Sequence, residues 1–85
     1  MKRAAVPFDA ARFGACLRQR RLAKSLTLQD LAAQTGFSVS SISEMENGRK
    51  PTFQKAAGVC KALDVPLSRV LLEAERQARA ARAAN

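Results

Sequence analysis

Val39, Ser40, Ser43 and Glu44, within the stretch SVSSISEMEN at 38–47, fall on one side of a short helix and bring together two hydroxyls, a carboxylate and a small apolar group. Ile42 and Met45 lie on the other side, with Glu46 one turn beyond Ile42. A small, polar face of this kind suits contact with a partner; its bland reading is an ordinary solvated helix surface. Directly after it, Asn47-Gly48-Arg49-Lys50-Pro51 stops the helix and leaves two cations in a turn. The chemistry on offer is hydrogen bonding and charge neutralisation, not bond making. The chain has no histidine, no cluster with metal-ligand spacing and no glycine loop to cradle a phosphate. Its lone carboxylates are accounted for by helix caps and surfaces, so no enzyme, catalytic residue, metal or cofactor is expected.

The elements that position these residues follow from caps and periodicity. Asp9 can cap a first helix running to about Lys24, with Phe13 and Leu17 one turn apart and Arg21 next on the same stripe. An arginine therefore falls on the core side. Thr27 and Asp30 have the form of a capping box for a second helix carrying Leu28, Leu31 and Ala32, which Gly36 ends. Ser38 can cap the third. Thr52 can cap a fourth, with the apolar stripe Phe53, Ala56, Ala57, Cys60 and Leu63, and Asp64 to Pro66 break it. Leu67, Val70 and Leu71 start a fifth. From Glu73 the sequence ERQARAARAAN favours helix but offers little to bury, which predicts an extension that frays.

Eighty-five residues allow one domain with a modest core. Residues 1–8 read as an arm, 9–72 as the domain and 73–85 as an Ala/Arg-rich helical tail. The net charge of +8 favours an anionic partner, and it is distributed as +6 over residues 1–26, −1 over 27–50 and +3 over 51–85, flanking the central two-helix unit. Cys16 and Cys60 read as small buried thiols of a reduced compartment rather than a disulfide. Two basic residues at the N-terminus precede no continuous apolar run, so neither a signal peptide nor a membrane span is expected and the location reads as cytoplasmic.

The order and spacing of LRQRR at 17–21, LTLQDLAAQTGFS at 26–38, IS at 42–43, ENGRKP at 46–51 and KAL-DVPL at 61–67 resemble the XRE family, the helix-turn-helix domains of the lambda-repressor and Cro type. The resemblance runs from about Phe13 to Leu71. It implies an all-α, compact five-helix lambda-repressor-like DNA-binding domain whose helices 2 and 3 form the helix-turn-helix. Helix 3 would then enter the major groove, which is about 12 Å wide and alone shows a distinct donor and acceptor pattern for every base pair. On that resemblance Val39, Ser40, Ser43 and Glu44 stand where members read bases. The serines can donate or accept, Val39 can pack on a thymine methyl, and Glu44 can accept from a cytosine amino group.

Asn47, Arg49 and Lys50 match positions that hold the DNA backbone, and Thr27 and Gln29 at the start of helix 2 are further backbone candidates. The best-known phage repressors carry a phosphate-touching glutamine where this chain has Leu28; Gln29 or free backbone N–H groups can substitute. Arg21 and Glu46 match a family salt bridge between helix 1 and the end of helix 3, the same pairing that the stripe suggests. Lys2 and Arg3 either reach along the duplex or are disordered.

These expectations converge on a sequence-specific double-stranded DNA-binding transcriptional regulator, a repressor acting as a homodimer on an inverted repeat, because one helix in one groove covers only a few base pairs. Leu67, Val70, Leu71 and Leu72 are its candidate dimer contacts, unless they close the monomer core. The loop cations are expected to set general affinity and helix 3 the sequence preference. One alternative is the DNA-binding antitoxin of a toxin–antitoxin pair, with a toxin as partner; another is a protein-interaction bundle without DNA function. The tail can equally be dimer interface, DNA contact or neither.

Overall fold

The computed structural model describes residues 8–84, so residues 1–7 of the arm, with Lys2 and Arg3, lie outside the described residues. Among the described residues five helices follow one another: α1 (Ala10–Ala23), α2 (Leu28–Thr35), α3 (Val39–Glu46), α4 (Phe53–Ala62) and α5 (Leu67–Ala83). Four start on a side-chain cap. Asp9 accepts from the Arg12 N–H, Ser38 from Ser41 and Thr52 from Lys55. At α2 the box is reciprocal, with the Asp30 N–H donating to Thr27 Oγ1 at 3.0 Å and the Thr27 N–H to Asp30 Oδ2 at 2.8 Å. The Thr27 backbone N–H foremost, and the Thr27 side chain beside it, hold the Asp30 carboxyl below its usual range.

Three helices end in one way. After α1, α3 and α4 a single residue takes the left-handed conformation, Ser25, Gly48 and Asp64, and the next N–H reaches back to the carbonyl of Arg21, Glu44 and Cys60 respectively. This reversal turns Leu26 and Val65 back onto the core. Only one of the three positions is a glycine, so the two others are not readable as helix stops from glycine alone.

The core is built from Phe13 and Leu17 of α1, Leu31 of α2, Ile42 of α3, Val59 and Cys60 of α4, Leu63 and Val70, all essentially inaccessible. Helix α1 packs on α3 and α5, and α2 on α3 and α4. Both cysteines are free and buried. Burial pushes the Cys60 thiol up to about 11 and raises Cys16 as well, so neither is poised as a thiolate.

Three expectations change. Phe53 is 78% exposed, because it is the first residue of α4 and helical side chains lean toward the N-terminus, carrying its ring past the end of the stripe. Val59 is buried in the core instead. Val70 is completely buried in the monomer and is therefore withdrawn from the candidate dimer contacts. The stretch after Glu73 does bury surface: Ala74 and Ala78 continue the Val70 stripe at four-residue spacing and are both inside, while α5 stays helical to Ala83. Alanine buries with almost no loss of side-chain entropy. Arg20 of α1 grips Glu73 of α5 through Nε at 3.2 Å and through a second, shorter pairing.

Gly14 fixes the distance between α1 and α3. A Cβ there would be driven into the backbone carbonyl of Met45 and lie 2.8 Å from that of Glu46. Gly14→Ala is expected to destabilise the fold by about 1–2 kcal/mol, an overpacking penalty of about 1–3 partly offset by the helix preference of alanine. Urea melts of wild type and variant measure it; an alanine variant more stable than wild type would show that α1 can move away.

Candidate nucleic-acid interface

The outer face of α3 is assembled from the back forwards. Behind it, the Arg21 guanidinium donates from Nε to Glu46 Oε2 at 2.6 Å and from Nη2 to Glu46 Oε1 at 3.0 Å, and its Nη1 donates to the Leu26 carbonyl at 2.8 Å. Both side chains are nearly inaccessible, at 10% and 6%. The fork matches the two carboxylate oxygens, and a third donor satisfies the loop that leads to α2. Thus the last turn of α3, the end of α1 and the entry to α2 are fastened at one point. At the other end, Gly36 at φ 79° closes α2 and Ser38 opens α3 two residues later. Between them Phe37 packs against the core and covers Gly58 of α4, where a Cβ would come within 2.8 Å of its ring.

In front, Ser40 and Glu44 are exposed and Val39 and Ser43 half-buried, so the four residues share a face that the rest of the described chain leaves open. Asn47 caps the helix, its Nδ2 donating to the Ser43 carbonyl at 2.9 Å and reaching Ser43 Oγ at 3.4 Å. It thereby steadies Ser43. Arg49 lies with Nη1 3.5 Å from Glu44 Oε2, and both side chains are more than half exposed. Such a pair contributes about 0–1 kcal/mol to stability, so what it does is bias the direction of the carboxylate. Lys50 is exposed.

Thr27 and Gln29 are exposed at the start of α2. The Thr27 hydroxyl oxygen is engaged by the Asp30 N–H, while the N–H groups of Leu28 and Gln29, at the first two helical positions, have no acceptor within the helix. Leu28 itself is turned against the core.

Lys55 carries no signal in the sequence, since a lysine at the third position of a helix is an ordinary surface residue. In the structure its ammonium donates to Ser41 Oγ of α3 at 2.9 Å, across a separation of 14 residues. Ser41, Glu44, Arg49, Lys50, Pro51 and Lys55 help line a groove of about 200 Å³ between α3 and the start of α4. Three cations and one carboxylate thus share this groove. Only the packing of α4 on the bundle brings Lys55 to the flank of α3.

On α5, Leu71 and Leu72 are 39% and 44% exposed and Leu67 is partly buried against the core. None of the described helices is long and apolar enough to cross a membrane.

Residues 17–70 match the Helix-turn-helix family, and the chain belongs to that family of DNA-binding domains, in its XRE form. It is 40% identical over 73 residues to the transcriptional regulator ClgR of Mycobacterium tuberculosis, a match that takes in 84% of this chain. The chain spans 65% of the length of those relatives. Its fold is similar to the crystal structure of the clp gene regulator ClgR from Corynebacterium glutamicum, with a TM-score of 0.80 and 34% identity over 94% of this chain and 85% of the other. It is also similar to the restriction-modification controller protein C.AhdI from Aeromonas hydrophila, with a TM-score of 0.67 and 32% identity over 73% and 94% of the two chains.

Proposed function

We propose that this chain is a sequence-specific regulator of transcription that lays α3 in the major groove of double-stranded DNA, binds an inverted repeat as a homodimer and represses the genes so marked. The observation that carries this reading is the mounting of α3. Its back is locked by the Arg21–Glu46 pair and the Gly14 contact, and its front is uncovered and bordered by Arg49, Lys50 and Lys55. A helix meant only to close a core needs no such open, cation-edged face. Family membership supplies the class of partner, and the relatives named as a transcriptional regulator and a clp gene regulator supply the kind of process. Leu71 and Leu72, adjacent and exposed on α5, are apolar residues that a second copy could cover.

Duplexes from clp promoter regions are the first operators to test, by titration at several salt concentrations with the number of chains per duplex counted. The expected log–log slope has a magnitude of about 4 or more, with two chains bound per operator. A flat salt response removes the DNA reading. A steep response with one chain per complete operator removes the homodimer. Addition of the protein to an in vitro transcription reaction on the bound promoter is expected to lower the transcript, and a rise would replace repression by activation.

A further inference from the structure

We propose that Lys55 is a phosphate-binding residue of the DNA interface and that Ser41, on the flank of α3, is the residue that positions it. This rests on the DNA-binding reading above and adds two residues to it. An ammonium group has three donors and a full charge. Among the described residues Lys55 gives one of those donors to the Ser41 hydroxyl, at 2.9 Å, and forms no ion pair. A neutral acceptor orients the group without neutralising it.

The side chain is half-buried, so its stem packs along the groove while the charged end is held at one place. A lysine needed only for solubility would extend into water. This one reaches back across the gap between α4 and α3 and sits in the same groove as Arg49 and Lys50. The anion that fits there is a backbone phosphate on the strand bordering the major groove that α3 enters, since any group seated on α3 must bring that edge of the duplex past the α3–α4 gap. Glu44, the one carboxylate lining the groove, stands beside Arg49 and so leaves the charge of Lys55 uncompensated. Holding the ammonium before DNA arrives lowers the side-chain entropy lost on binding.

The decisive variant is Lys55→Gln, which removes the charge and keeps an N–H donor for Ser41. With the operator duplex as probe, it is expected to lower affinity for matched and unrelated sequences alike and to reduce the salt slope by about 2 for a homodimer, one phosphate per chain. Lys55→Arg is expected to retain the wild-type slope. Ser41→Ala leaves the charge and frees the arm, so affinity falls by less than in Lys55→Gln and the slope stays unchanged. Thermal unfolding of each variant, read alongside, separates a failure to fold from a failure to bind. If wild type binds with a steep slope and Lys55→Gln keeps that slope, Lys55 is a structural tether and the inference is overturned while the DNA reading stands. If Ser41→Ala binds as tightly as wild type, the positioning role is overturned. If wild type itself shows no salt-dependent binding, the DNA reading fails first.

Discussion

Arg21→Met is expected to lower the free energy of unfolding by about 3–5 kcal/mol, the usual loss when one partner of a buried pair is removed. The burial of both side chains places this pair in that class and not among surface bridges. Methionine strands the Glu46 carboxylate at the end of α3 without its two donors, and it also takes away the donor to the Leu26 carbonyl. Glu46→Gln strands the charge of the guanidinium instead, although one carbonyl acceptor survives. The double variant, with neither charge, should lose clearly less than the sum of the two single losses, because removing both charges removes the desolvation problem that each single variant creates. Urea melts of the four proteins measure the coupling. Additive losses would mean that the two side chains do not depend on each other. The effect should extend to function: at temperatures where Arg21→Met is still folded, DNA binding weakens, since α3 loses one of its two fastenings to α1.

Glu44→Gln is expected to change which base pair is preferred at one position of each half-site, by about 1–3 kcal/mol. A carboxylate in the negative potential of a groove is unfavourable unless it accepts a hydrogen bond, as from a cytosine amino group, whereas an amide both donates and accepts. Selection from a randomised operator library reads the shift. The structure divides the two loop cations, which their adjacency in the sequence makes look alike. Lys50→Ala should weaken binding to all sequences nearly equally and reduce the salt slope by about 1 for each phosphate that a chain no longer neutralises. Arg49→Ala should do this and also blur the preference at the Glu44 position, because Arg49 stands 3.5 Å from the Glu44 carboxylate and biases its direction. If Glu44→Gln selected the wild-type sequence while Lys50→Ala selected another, α3 would not be the reading element.

The features legible in the residues alone are those that depend on near neighbours in the chain. Asp9, Thr27, Ser38 and Thr52 marked four helix starts because a cap is a bond between residues two or three apart, and each is found accepting that bond. Gly36 and Gly48 marked two stops because both have positive φ. The stripe Phe13, Leu17, Arg21 placed an arginine inward, and an inward arginine demands a carboxylate, which Glu46 on the inward side of α3 could supply. Helical periodicity thus reached one tertiary contact.

Other contacts emerge only once the helices are packed, because they depend on the angle and separation of helices, which no local pattern encodes. Gly14 looks like a weak point in α1 until the end of α3 is laid against it. Ala74 and Ala78 look like filler in a charged tail until α5 lies along α1 and Arg20 meets Glu73. Phe53 counts as core by spacing, yet its place at the first position of α4 sends its ring into solvent. Lys55 is one basic residue among fifteen in the sequence. Its meeting with Ser41 exists because α4 packs beside α2 and brings its first turn to the flank of α3, a matter of how helices far apart in the chain cross.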